Sequence, residues 1–66
     1  MRQEISATDL PKHLGKTVFL HDEENKSDEI IRNIELRGGW IRGESSNNSL
    51  VDIALNYNLK KIFIEV

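Results

Sequence analysis

Hydrophobic and polar residues alternate through Ile30–Glu44, read I-I-R-N-I-E-L-R-G-G-W-I-R-G-E, and two such runs meet at Gly38-Gly39. The two-residue turn that best suits a hairpin needs positive φ at both central positions, which glycine adopts without steric cost. The spacing predicts a hairpin that opposes Arg37 with Trp40, Leu36 with Ile41, Glu35 with Arg42 and Ile34 with Gly43. Ile34, Leu36 and Ile41 then share one face, and Glu35, Arg37, Trp40 and Arg42 share the other.

The same period marks two further strands. In K-T-V-F-L-H, residues 16–21, Val18 and Leu20 fall on one face and Thr17, Phe19 and His21 on the other. Apolar residues on both faces predict a central or covered strand. In K-K-I-F-I-E-V, residues 60–66, Ile62, Ile64 and Val66 alternate with Lys61, Phe63 and Glu65. An I-F-I run left at a bare edge would template aggregation, so this strand is expected inside the sheet or against another copy.

Two segments read as helical. Ser6–Leu14 carries cap residues, Asp9 near its start and Pro11 in a first turn, which predicts one or two turns with Leu10 and Leu14 facing inward. Residues 50–57 satisfy two periods. A strand would align Val51, Ile53 and Leu55, and a helix would align Leu50, Ile53, Ala54 and Tyr57. Ser49 with Asp52 resembles a capping box, and Asn58 then Leu59 a helix stop, so the helix is expected. Asp22–Glu29, with five acidic residues among eight and no apolar one, reads as a solvated loop. Met1–Ile5 reads as a short edge strand or a frayed end.

The expected fold is therefore α+β, a small single-layer sheet of three to four strands. A central hairpin turns at Gly38-Gly39, and one C-terminal helix packs on one face, serving as a crossover to a parallel final strand. Leu14–Leu20, L-G-K-T-V-F-L, resembles the entry to small barrels of the SH3-like and OB types, in which a glycine precedes the first strand. That resemblance implies a small β-barrel as the alternative architecture.

Length and charge narrow the picture further. Sixty-six residues make one small domain, near the lower limit for folding alone. With no cysteine there is neither a disulfide framework nor a thiolate metal site. A chain this short must lean on tight packing, a partner or self-association, so a homodimer is expected. A net charge of −2 gives no general attraction to nucleic acid. No apolar run reaches the roughly 20 residues of a membrane span, and the N-terminus lacks an apolar signal core; the expected address is cytoplasmic. The abundance of Asn, Ile and Lys matches coding from an AT-rich bacterium or its phage.

Candidate chemistry is sparse. His21 beside Asp22, Glu23 and Glu24 lacks the spacing of any metal-binding loop and reads as a solvated acidic turn. His13, four residues after Asp9, reads as one half of a mild surface pair. The serines at 45, 46 and 49 have no base placed to activate them. The glycines at 38, 39 and 43 lie between strands, whereas a phosphate cradle needs a helix N-terminus. No catalytic residue, metal or cofactor is expected. The binding candidates are Arg37, Trp40 and Arg42 on the polar hairpin face, joined by Lys61 and Phe63 from the final strand. Trp and Arg dominate many protein interfaces, and on an open sheet face they also suit stacking of unpaired bases. The expected function is a non-enzymatic, regulatory binding domain acting through protein contacts, with a single-stranded nucleic-acid binder as the alternative.

Overall fold

A computed structural model describes all of residues 1–66. Its six strands are β1 (Arg2–Ile5), β2 (Val18–Asp22), β3 (Ser27–Arg37), β4 (Trp40–Glu44), β5 (Leu50–Ala54) and β6 (Lys61–Glu65). One 3-10 helix, Ala7–His13, lies between β1 and β2. The strands form one antiparallel sheet in the order β1-β6-β2-β3-β4-β5. No helix is long and apolar enough to cross a membrane.

This corrects the expected α+β architecture. The C-terminal helix does not form, the strands number six rather than three or four, and β6 is antiparallel to both its neighbours. β1 and β5 end the sheet without pairing to each other. Residues 50–54 are a strand because β4 has a second edge to satisfy, and β5 supplies its partner from Leu50 opposite Glu44 to Ala54 opposite Trp40. The carboxylate of Asp52 binds Arg42 instead of a helix N-terminus. Val51, Ile53 and Leu55, the strand-period set, all pack on the core.

The hairpin has its two-residue loop, with Gly38 at φ 60° and Gly39 at φ 100°. Arg37–Trp40, Leu36–Ile41 and Glu35–Arg42 are opposed as the pattern requires. Ile34 and Gly43 are not a simple pair. The ladder resumes at Arg32–Glu44, so Asn33 and Ile34 together stand opposite Gly43. That two-against-one arrangement is a β-bulge, and Asn33 carries it at φ 53°. The bulge keeps Ile31 and Ile34, three apart in sequence, both in the core. It also bends β3, which pairs with β2 along residues 27–31 and with β4 along residues 32–37.

The bend brings the inner faces of both halves onto one core. Val18, Leu20, Ile31, Ile62 and Ile64 come from one half, Ile34, Ile41 and Ile53 from the other, and Ala7 and Leu10 from the 3-10 helix. Leu10 is fully buried, whereas Leu14, expected beside it, is 44% exposed. The 3-10 helix ends at His13 and Leu14 has left it in an extended conformation, which breaks the helical spacing between the two leucines. Gly15, at φ 81°, then donates its N–H to the Ile34 carbonyl at 2.7 Å, and Lys16 accepts from the Ile34 N–H at 3.3 Å. The bulge is thus stitched to the segment that enters β2.

The acidic stretch is mostly strand. Only residues 23–26 turn, with Lys26 at φ 53°, and Asp22 is already paired with Ser27. Asp22 builds this turn by accepting from the Glu24 N–H at 3.0 Å, the Asn25 N–H at 3.3 Å and the Asn25 side chain at 2.9 Å. β6 lies between β1 and β2, which hides both edges of its apolar run.

Candidate functional site

Inward-facing Ile31, Ile34, Ile41 and Ile53 place their strand neighbours on the outer face of the β3–β4–β5 half. That face carries Arg32, Glu35 and Arg37 from β3, Trp40, Arg42 and Glu44 from β4, and Leu50, Asp52 and Ala54 from β5. Arg37, Trp40 and Arg42 therefore do share a face, and Trp40 is 54% exposed on it. The face is not basic, because three arginines are matched by three carboxylates. The Arg42 Nε lies 2.9 Å from Asp52, and the Arg37 Nε lies 3.5 Å from Glu35. Arg32 reaches the β4–β5 turn, donating to the Ser45 carbonyl and to Asn48 Oδ1, each at 3.3 Å. All three guanidinium groups already have acceptors within the chain.

Lys61 and Phe63 lie apart from this group, on the outer face of the other sheet half. The Lys61 Nζ sits 2.7 Å from Glu23. Phe63 is opposite Phe19 in the ladder and receives the edge of His21, with ring centroids 6.2 Å apart. The five expected binding residues thus form two clusters, because β6 pairs with β1 and β2 rather than beside the hairpin.

The second cluster contains residues that the pattern alone did not single out. The Arg2 guanidinium lies 3.9 Å from the centroid of Phe19 and also binds Asp28. The other Asp28 oxygen is 2.7 Å from His21 Nδ1. The period-2 signal already put Phe19 and His21 on one face. Asp28 was hidden because its segment looked like a loop, and Arg2 because nothing in the first five residues shows a period.

The ionic contacts depress several carboxyl groups. Arg2, then His21, holds Asp28 below the usual carboxylate range, and Arg42 does the same for Asp52. A folded-state pKa below the unfolded value contributes stability above the unfolded value, about 4, and that contribution disappears as pH falls through the folded one. Urea midpoints are therefore expected to drop steadily below about pH 4, and Asp28→Asn is expected to flatten that drop. An Asp28→Asn profile parallel to that of the unaltered protein would show that this cluster does not link stability to pH.

Elsewhere the chemistry is thin. An open groove of about 520 Å³ is lined by His21, Asp22, Glu23, Glu24, Leu59, Lys60 and Lys61. No three His, Cys, Asp or Glu side chains converge to hold a metal ion. Asp9 pairs with Lys12 at 3.4 Å, and the Ser45 hydroxyl binds Asn47 within its own turn.

The fold and these two faces define a small antiparallel β domain in which several exposed charges form ion pairs and large apolar side chains such as Trp40 and Leu50 stay exposed. Comparison with family models, curated proteins and solved structures finds no match to this chain.

Proposed function

We propose that this domain is a non-enzymatic module that acts through contact with another protein, using the outer face of β3–β4–β5. The observation that carries this reading is Trp40, more than half exposed beside the hairpin turn at one end of a charge-balanced face, with an exposed Leu50 at the other end of the β4–β5 ladder. A large aromatic side chain left in water on a neutral surface is costly unless a partner covers it, and Trp is prominent among residues that anchor protein interfaces. Single-stranded nucleic acid fits less well, since binding it depends on uncompensated positive charge along the groove. Self-association also loses part of its support, because the aromatic residues on the second faces of β2 and β6 are partly covered by Arg2 and His21 from the same chain.

A photo-crosslinking amino acid at Trp40, with Lys12 as the exposed control, tests the reading in a lysate of the source cells. A discrete protein adduct is expected from position 40 and not from position 12. Equal adducts from both positions, or none from 40, would overturn it. Titrating Trp40 fluorescence with a mixed oligonucleotide at low salt is expected to leave the emission unchanged; a saturable shift would favour the nucleic-acid alternative.

A further inference from the structure

The sheet has two free edges, β1 and β5, and they are not equivalent. β1 presents Arg2 and Glu4, alternating charges of the kind that protect an edge. β5 has no Lys, Pro or bulge, and its one charged residue is Asp52. The Ser45 N–H donates to the Ser49 carbonyl at 2.8 Å at the entry to the β4–β5 ladder. Hydrogen-bonded pairs alternate along an antiparallel ladder, so Val51 and Ile53 turn their backbone groups toward β4. Leu50, Asp52 and Ala54 turn theirs outward. The Ala54 carbonyl is taken by the Tyr57 N–H at 3.0 Å, and the remaining outward groups on Leu50, Asp52 and Ala54 face the free edge.

The charges beside this edge specify what fits it. Glu35, Arg42 and Asp52 form a row across three strands that reads negative, positive, negative. Asp52 stays 47% exposed even with Arg42 beside it. A basic side chain in a fourth strand continues the alternation, and like charges directly opposite destabilise. A second copy would put the wrong charge there. Across a twofold axis, the register that uses all three outward residues pairs Leu50 with Ala54 and sets Asp52 against Asp52. On either side of Asp52 the outer face offers Leu50, 64% exposed, and Ala54 with Trp40 directly across the ladder.

We propose that the free edge of β5 is a strand-addition site for an extended segment of another protein. That segment carries a basic side chain opposite Asp52 and apolar side chains opposite Leu50 and Ala54. Backbone hydrogen bonds supply the binding, and the alternate side chains supply the selectivity. This deepens the protein-contact reading and rests on it.

The probe is a synthetic peptide with the alternating sequence Thr-Leu-Thr-Lys-Thr-Leu-Thr, and the readout is amide hydrogen exchange measured by NMR. Exchange is expected to slow at Leu50, Asp52 and Ala54 while Val51 and Ile53 change little. The same peptide N-methylated at Leu, Lys and Leu is expected to lose this effect on the unaltered protein. Replacing its Lys with Glu is expected to weaken binding by about two- to fivefold, and Asp52→Lys in the domain is expected to reverse that preference. Unchanged exchange at millimolar peptide, equal protection by the N-methylated peptide, or no reversal with Asp52→Lys would each overturn the proposal. A crosslinked partner at Trp40 with unchanged β5 exchange would remove this site and leave the protein-contact reading standing.

Discussion

Replacing Gly43 with Ala is expected to destabilise the domain by about 1–3 kcal/mol, the usual cost of overpacking a close-packed interior. A Cβ at position 43 would lie 2.3 Å from Ile31 Cγ2, 3.1 Å from the Arg32 carbonyl oxygen and 3.2 Å from Ile34 Cγ2. Ile31 is fully buried and branched at Cβ, so it cannot swing its methyl aside without losing its rotamer. The backbone contact cannot yield without opening the bulge. A 66-residue domain has a total stability of roughly 3–10 kcal/mol, so this one methyl group would remove a large share of it. Urea denaturation measures the loss. Ile31→Leu, which removes the β-branch and keeps the volume, is expected to recover part of it in the Gly43→Ala background, as a double-mutant cycle would show. A Gly43→Ala variant as stable as the unaltered protein would mean that β3 does not cross β4 this closely.

Leu10→Ala should cost more, on the order of 2–5 kcal/mol, because a fully buried leucine is lost and a cavity is left behind. The 3-10 helix that holds it spans seven residues, has Pro11 within it and has no side-chain hydrogen bond at its N-terminal cap. Such a helix has little stability of its own, so burial of Ala7 and Leu10 is what fixes it to the sheet. Leu14→Ala is the internal control and should change stability by less than about 0.5 kcal/mol, since that side chain is 44% exposed. Thermal melts of the two variants would make the comparison. Equal losses from both would place Leu14 in the core and contradict the way the chain leaves the helix.

Much of the sheet was legible in the order of residues. The pairing of Arg37 with Trp40, Leu36 with Ile41 and Glu35 with Arg42 follows from the glycine pair and from strict alternation, both local properties of the backbone. The same local period turned Val18, Leu20, Ile62 and Ile64 inward. The aggregation hazard of an I-F-I edge was enough to put β6 in the interior. Three features were decided by the tertiary structure. Residues 50–57 satisfy both periods, and pairing of residues 50–54 with the free edge of β4, which the period of the segment itself does not encode, chose the strand. Asn33 interrupts the alternation by one residue, and whether that becomes a bulge or a slip depends on Gly43 allowing the close approach. The binding candidates divided into two clusters because chain order does not say which strands become neighbours. Arg2 and Asp28, 26 residues apart, meet across the sheet only after β6 has entered between β1 and β2. Periodicity sets which way a side chain faces, because that depends on adjacent peptide units. What it meets there depends on long-range pairing, which the packing of the whole core selects.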